Sequence, residues 1–304
     1  MQKLAGGIGC DDEGRFLMSP KSIGIAFMIL AAIIFGFTPI LVRFAFEGGA
    51  NGITLIFLRA SISLPILAVI MKVMKISFEL PRVHFKPMLP ASLGFSLTGI
   101  FLYSAFIHVN VGLAVTIHFI NPMLVMLAGA LLFREKMGLY KWIALAFVMV
   151  GIMLLTGDVD RTNVVGVVFA LMSGTSITIY ILTMGRSKLR ELHFFTITFY
   201  LVLAQCLIAF GAGIVTGELT FQLTPAAWVY AFMISIFVSI LAVTLFQQGV
   251  IKAGSSTASL VSCLEPILSI IFGAVFLAEI LTPLNILGGV LVISSVALIS
   301  VFKE

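Results

Sequence analysis

The sequence predicts an all-α integral membrane protein with ten transmembrane helices, arranged as two inverted five-helix repeats. The first observation is composition: the 304 residues are 61% hydrophobic and only 10% charged, and the mean hydropathy is +1.19. A soluble domain carries about 25% charged residues, so this chain is predicted to lie in a lipid bilayer. The other two observations are a series of apolar segments and a stretch that occurs twice.

Charge and cysteine usage exclude several classes of partner. The net charge is +5, but no basic stripe with interleaved aromatics indicates a nucleic-acid partner. The cysteines Cys10, Cys206 and Cys263 are far apart and odd in number, so neither a disulfide framework nor a metal site is predicted. The sequence contains no P-loop, HExxH or GxSxG motif, and it predicts no cofactor and no enzymatic activity.

Residues 1–20 are polar and Gly-rich, and we interpret them as a short disordered cytoplasmic tail. No apolar core precedes Cys10, so the tail does not resemble a signal peptide. Either Met1 or Met18 fits as the translation start, because the SPKS motif that follows Met18 leads directly into an apolar run.

Ten apolar segments follow, each near the roughly 20 residues that a helix needs to cross the hydrocarbon core. They group into a first repeat over 22–156 and a second over 164–302. We place the segments, numbered 1 to 10, at 22–45, 52–74, 88–107, 111–133, 139–156, 164–184, 193–215, 225–248, 255–278 and 283–302.

The basic residues predict the orientation. With the N-terminus in the cytoplasm, only Arg43 and Arg161 fall in external loops, and only Arg59 lies well inside a segment. All other lysines and arginines fall in cytoplasmic pieces, as the positive-inside rule requires. This bias predicts two cytoplasmic termini and an even number of helices.

The repeated stretch covers 112–135 and 256–279. Each copy begins with small residues, continues as an apolar helix broken by proline, and ends at a glutamate. At one constant offset, the matching positions are Ala114, Pro122, Leu124, Gly129, Ala130 and Glu135 in the first copy and Ala258, Pro266, Leu268, Gly273, Ala274 and Glu279 in the second. The match indicates two related halves.

Five helices per half is an odd number, so the halves must cross the membrane in opposite directions. A second pair of related motifs supports this, since the GIAF motif at 24–27 resembles the GVVF motif at 166–169. Inverted repeats are typical of secondary transporters, whose substrate site lies near the bilayer midplane between the halves.

These features resemble the EamA-type branch of the drug/metabolite transporter superfamily. The resemblance rests on the GALLFRE and GAVFLAE motifs after the two prolines, the Leu-Glu-Pro at 264–266 and the small-residue run at 254–258. It implies a ten-helix bundle in a bacterial inner membrane with a cavity lined by segments 1–4 and 6–9, and it implies export of a metabolite. It does not specify the substrate. The chain departs from its own repeat where Asn121 replaces the carboxylate of Glu265.

Glu265 is the sharpest candidate for substrate or proton binding. It lies about ten residues into segment 9, which is about 15 Å from the membrane surface at about 1.5 Å per residue. A charge there costs several kcal/mol unless it is paired, hydrated or protonated. The alternative is a protonated Glu265 that holds the fold by bonding the backbone carbonyl that Pro266 leaves unsatisfied.

Arg59 requires an anion because it lies inside segment 2. The anion is a substrate carboxylate or phosphate, or Glu265. The structural alternatives are a permanent ion pair and snorkelling toward the surface.

Weaker candidates complete the predicted cavity. His118 and Asn121 are three positions apart and share a helix face with Ala114 and Val125, and His118 could exchange protons near neutral pH. Each polar candidate is also compatible with a purely structural hydrogen bond. The remaining candidates for substrate binding are Ser262 in segment 9, Tyr103 late in segment 3, Tyr180 late in segment 6, and Gln247, predicted to end segment 8.

The predicted function is secondary active export of a small metabolite, amino acid-like or otherwise polar or amphipathic, by alternating access. Proton coupling is a hypothesis. Alternatives are uptake or exchange of a metabolite or nucleotide-type anion, a membrane-embedded enzyme acting on lipid, and a structural or receptor-like protein. The sequence leaves open the substrate, the direction, the coupling ion and the oligomeric state.

Overall fold

The apolar segments fold into a bundle of helices. The computed structural model describes residues 8–10, 16–109, 111–135, 138–155, 163–277 and 282–301. The helices are α1 (Pro20–Glu47), α2 (Gly52–Val73), α3 (Arg82–His108), α4 (Val111–His118), α5 (Asn121–Phe133), α6 (Leu139–Leu155), α7 (Val164–Arg186), α8 (Phe194–Thr216), α9 (Pro225–Ile234), α10 (Val243–Ala253), α11 (Ser255–Val261), α12 (Leu264–Leu277) and α13 (Pro283–Val301).

Seven helical spans within the described residues are long and apolar enough to cross a membrane. Three further apolar helices are shorter, at Asn121–Phe133, Leu139–Leu154 and Pro283–Leu298. The all-α prediction is confirmed, whereas the count of ten membrane-spanning helices stays a prediction. The seven spans are Pro20–Glu47, Gly52–Val73, Arg82–Ala105, Val164–Arg186, Phe194–Thr216, Pro225–Ala253 and Ser255–Phe276.

Both copies of the repeated stretch form two helices with a break between them. In the first copy α4 ends at His118 and α5 begins at Asn121. In the second copy α11 ends at Val261 and α12 begins at Leu264. The breaks come just before Pro122 and Pro266. The backbone nitrogen of a proline carries no hydrogen, so it cannot donate a hydrogen bond to the carbonyl one turn earlier. His118 and Asn121 were predicted to share one helix, but they lie on either side of the first break.

The second helices of the two halves, α2 and α8, run antiparallel. Near the start of α2, the Thr54 hydroxyl donates to the carbonyl of Glu218, just beyond the end of α8, at 3.2 Å. Near the start of α8, the Thr196 hydroxyl donates to the carbonyl of Ser77, beyond the end of α2, at 2.9 Å. Equivalent helices that run in opposite directions are what inverted repeats require.

The glycines of the two related GxxF motifs occupy equivalent positions. Gly24 in α1 packs on the end of α10, where an added Cβ would lie 2.9 Å from Cβ of Lys252. Gly166 in α7 packs on the end of α3, where an added Cβ would lie 2.9 Å from Cβ of His108. In each half, the glycine at the equivalent position therefore allows close contact with the last turn of a helix in the other half.

We expect Gly24→Leu and Gly166→Leu to destabilise the protein by similar amounts, about 1–3 kcal/mol each, because both overpack a close helix contact. The measurement is the thermal unfolding transition of the detergent-purified protein. Gly211→Leu in α8 is the control, because nothing lies within 4 Å of a Cβ at Gly211. Equal stability of all three variants would contradict the tight inter-half packing.

Several boundaries differ from the sequence prediction. The tail was predicted to be disordered, but Ile8–Cys10 pairs with Phe16–Met18 as two antiparallel strands, while residues 1–7 and 11–15 lie outside the described residues. Helix α1 begins at Pro20 because Ser19 caps it, accepting from the backbone N–H of Ser22 at 3.1 Å with proline at the first turn.

Segment 8 continues beyond its predicted end. It comprises α9, a π-helical stretch at Ser235–Ala242 and α10. Because α10 runs on to Ala253, Gln247 lies inside the helix and is fully buried, so the prediction that Gln247 ends the segment was wrong. The polar pair at 247–248 looked like a helix terminus in the sequence, but burial of Gln247 against other helices allows the helix to pass through it.

Candidate functional site

Arg59 of the first half contacts Gln205 of the second half in the middle of the bundle. The Nε of Arg59 donates to Oε1 of Gln205 at 3.2 Å. Gln205 lies halfway along α8 and is fully buried, so Arg59 also lies near the membrane centre. Arg59 was predicted to pair with Glu265 or with a substrate anion. Among the described residues it forms no ion pair with Glu265, and its side chain hydrogen bonds to Gln205 instead.

Tyr103 lies near both charged candidates. Its hydroxyl is within electrostatic range of both Arg59 and Glu265. These residues, with Gln205, form what we call the central site. Arg59 and Tyr103 come from the first half, and Gln205 and Glu265 come from the second half, so the central site lies between the repeats.

The carboxylate of Glu265 makes no hydrogen bond and no ion pair with any residue that the structure describes. The carbonyl that Pro266 leaves without an intrahelical donor belongs to Ser262. It accepts from the backbone N–H of Glu265 at 2.9 Å, so the Glu265 side chain is not needed to satisfy the helix break. The structural alternative considered for Glu265 therefore lacks its expected hydrogen bond.

Asn121, at the matching position of the first half, bonds the backbone at its own break. Its Nδ2 donates to the carbonyl of His118 at 3.2 Å, which is the carbonyl that Pro122 leaves free. Asn121 is 2% exposed. Matching positions in the two repeats thus differ in environment, because Asn121 is engaged with the backbone whereas the Glu265 side chain is available for a ligand.

His118 joins helices of both halves. Its Nδ1 lies 2.9 Å from the hydroxyl of Ser173 in α7, and that hydroxyl donates to the carbonyl of Thr98 in α3 at 2.8 Å. The Ser173 hydroxyl has a single proton, which it donates in the hydrogen bond to the Thr98 carbonyl. Nδ1 of His118 must therefore donate to the Ser173 oxygen. The sequence prediction did not include Ser173, which lies in a stretch of small residues typical of helix packing.

The remaining candidates lie in packed polar contacts. Tyr180 is 1% exposed and stacks on Phe246 at 6.0 Å between ring centroids, with its hydroxyl beside Gln247. The Nε2 of Gln247 donates to the hydroxyl of Thr198 at 3.0 Å. Ser262 donates to the carbonyl at position 259 at 2.8 Å. Among the described residues, no hydrogen bond or salt bridge joins Tyr180, Gln247 or Ser262 to Arg59.

A second inter-half contact lies at the ends of α5 and α7. Glu135 forms a salt bridge with Arg186 and accepts a hydrogen bond from the hydroxyl of Ser256 at 3.4 Å. The guanidinium of Arg186 also lies 4.1 Å from the ring centroid of Phe133. The distribution of basic residues predicts that this end faces the cytoplasm. Glu135 matches Glu279 in the second copy of the repeated stretch, and Glu279 lies outside the described residues.

An apolar groove of about 290 Å³ between α3 and α7 is separate from these residues. Its lining contains none of the central site, and its exposed aliphatic side chains suit contact with lipid tails. The lining residues are Phe101, Val168, Leu171, Met172, Thr175 and Ser176. Across the described residues, no group of three or more His, Cys, Asp or Glu side chains could hold a metal ion.

The fold and the central site define a polytopic membrane protein with two related halves and charged residues between them. Comparison with known proteins gives the class. A model of the EamA-like transporter family matches residues 22–157 and 164–301. The chain therefore belongs to the EamA-like transporter family, as its repeated motifs indicated, and it is a multi-pass membrane transporter.

Two further similarities agree with this assignment. The chain is 23% identical, over 95% of its length and 96% of the relative's length, to a protein of Synechocystis sp. described as an uncharacterized transporter. It also resembles a solved crystal structure with a TM-score of 0.78 and 16% identity, over 92% of this chain and 97% of the other. At that identity the structural likeness supports the fold alone.

Proposed function

We propose that this protein is a secondary transporter that exports a small polar or amphipathic metabolite from the cytoplasm by alternating access. The observation that carries this proposal is the central site itself. This site combines Arg59 and Glu265, one from each half, with Tyr103 within electrostatic range of both. A charged side chain inside a membrane-spanning segment costs free energy. A polar substrate that binds to both halves would offset this cost.

Access to the central site from the cytoplasm depends on a contact at one end of the bundle. The salt bridge between Glu135 and Arg186 joins the halves at the cytoplasmic end, so we assign this arrangement to a state closed toward the cytoplasm. Opening that end requires the salt bridge to separate. The similarity of the two inverted halves allows them to exchange conformations, and this exchange would expose the central site on the opposite side.

The candidate residues divide into two proposed roles. Glu265 binds the substrate or a proton, and Arg59 and Tyr103 contact the substrate. The other candidates make hydrogen bonds or ring contacts with residues outside the central site, so we assign them to the walls and supports of the site. These supporting residues are His118, Asn121, Ser262, Tyr180 and Gln247.

The proposal is tested by finding a ligand and then measuring its movement. Detergent-purified protein is screened for thermal stabilisation by amino acids, nucleotides, sugars, carboxylates and cationic drugs, because a ligand of the folded state raises the melting temperature by mass action. Each hit is then tested for counterflow into proteoliposomes loaded with the unlabelled compound. We expect labelled hits to accumulate transiently in proteoliposomes and not in protein-free liposomes. Binding without any flux would contradict a transport function.

Direction is tested in cells. Export predicts that cells overproducing the protein tolerate a higher external load of the substrate and lose internal label faster than control cells. The control is the same strain carrying Arg59→Ala, produced at an equal level. Faster entry of label into cells depleted of the compound, with no faster exit, would indicate uptake and contradict export.

A further inference from the structure

We propose that Arg59 and Gln205 together form an anion subsite of the central site, and that the transported substrate carries a carboxylate or phosphate group that binds there. This inference rests on the proposed transport function and names the substrate class. It combines the hydrogen-bond geometry of the pair, the burial of Gln205 and the charges around Arg59.

The hydrogen bond fixes how the Gln205 amide is oriented. A guanidinium can only donate, so the amide oxygen of Gln205 must be the atom facing Nε of Arg59, as observed at 3.2 Å. The amide nitrogen is then on the other branch of the side chain. Gln205 is fully buried, and its Nε2 has no hydrogen-bond partner among the described residues. A buried donor without an acceptor costs about 1–3 kcal/mol.

Arg59 has unused donors as well. Only its Nε hydrogen bonds within the described part of the chain, which leaves the two terminal nitrogens of the guanidinium for a ligand. Tyr103 is the titratable group found to interact with it electrostatically, and a phenol is neutral at physiological pH. No carboxylate of the described residues lies within 4 Å of Arg59 to form a salt bridge.

These facts define a positive site that lacks an acceptor. A guanidinium presents a planar pair of N–H donors that matches the two oxygens of a carboxylate or phosphate, and the Gln205 amide adds a third donor beside it. A cationic ammonium group has no acceptor for these donors, and a neutral carbonyl or hydroxyl oxygen accepts from them without neutralising the buried charge. A substrate oxyanion would satisfy them and neutralise the buried charge.

The test uses Gln205→Glu, because this change keeps the shape of the side chain and supplies Arg59 with a fixed carboxylate. We expect the variant to fold with an equal or higher melting temperature, since an ion pair replaces a hydrogen bond to a neutral amide and the buried Nε2 donor without a partner is removed. We also expect it to lose stabilisation by anionic ligands by at least about tenfold in apparent affinity, because the internal carboxylate occupies the subsite. A structural role for the pair would instead leave anion binding unchanged in Gln205→Glu.

The ligand panel contains matched probes: organic monocarboxylates and phosphate monoesters, the corresponding amides and alcohols, and amines of the same carbon skeleton. We expect wild-type protein to be stabilised by anions and not by their neutral analogues, and Arg59→Lys to retain more binding than Arg59→Gln. A parallel series adds phosphatidylglycerol to the detergent micelles. Stabilisation by this lipid and by no soluble anion would assign the subsite to a lipid phosphate and overturn the substrate inference.

The inference and the transport proposal fail in different ways. Counterflow of a neutral or cationic compound that is unaffected in Gln205→Glu would overturn the anion subsite and leave transport intact. Tight binding of soluble anions to wild-type protein without counterflow would support the subsite and contradict transport.

Discussion

Glu265→Gln is expected to abolish substrate accumulation driven by a pH gradient while sparing exchange between loaded substrates. The Glu265 carboxylate has no hydrogen bond and no ion pair among the described residues and lies near the middle of its segment, which is the position expected of a group that takes up and releases a proton during the cycle. Glutamine keeps the shape and the hydrogen-bonding capacity of the side chain, but it cannot carry a proton.

The measurement compares accumulation and counterflow in proteoliposomes. For one proton exchanged per substrate, a gradient of one pH unit supports about tenfold accumulation, and we expect this ratio to fall to one in Glu265→Gln. Glu79→Gln, which makes the same chemical change at an exposed position between α2 and α3, should behave as wild type. Retention of the full pH-driven ratio in Glu265→Gln would eliminate Glu265 as the proton carrier.

Breaking the salt bridge between Glu135 and Arg186 is expected to open the cytoplasmic end of the bundle. The two side chains are half-buried, with 37% and 23% of their surfaces exposed, and they come from different halves. In the proposed cycle this contact exists only while the end is closed, so removing either charge should shift the population toward the state open to the cytoplasm.

The shift can be measured by labelling a cysteine placed at Ser262, which is 8% exposed, in a protein whose three native cysteines have been replaced. An impermeant thiol reagent applied from the cytoplasmic side should label this position about fivefold faster or more in Glu135→Gln than in the parent, which is the low end of typical coupling between conformational states. Arg190→Ala removes an exposed basic residue near the same end of the bundle and should leave the rate unchanged.

The double exchange Glu135→Arg with Arg186→Glu restores a pair of opposite charges and should return labelling toward the parental rate. Such a cycle separates the interaction from the separate effects of each substitution. Equal labelling in the parent, the single variants and the exchange would mean that the salt bridge does not control access from the cytoplasm.

Patterns along the chain were sufficient to predict an all-α membrane protein built from two repeats. Apolar length predicted the helices, and the recurring proline predicted the breaks before Pro122 and Pro266. The GxxF motifs pointed to Gly24 and Gly166 as equivalent residues, and the structure places both on matching turns of the opposite half. These features are local or repeated, so a single sequence contains them.

Contacts between distant segments were not predictable in the same way. Gln205 is an isolated polar residue in an apolar run, a recognisable signal for an intramembrane site, but nothing in the sequence pairs it with Arg59. Likewise, the sequence placed Gln247 at a helix end, because it does not reveal that other helices bury this residue. Partners that are far apart in the chain become evident only when the helices pack.

The most direct test of the account is counterflow through a protein whose halves are cross-linked at the cytoplasmic end. Cysteines replace Glu135 and Arg186 in a background without native cysteines, and a short bis-methanethiosulfonate reagent joins them. We expect cross-linking to stop counterflow of a ligand found in the screen, reductant to restore it, and each single-cysteine variant to be unaffected by the reagent. Undiminished counterflow through fully cross-linked protein would contradict alternating access between the two halves.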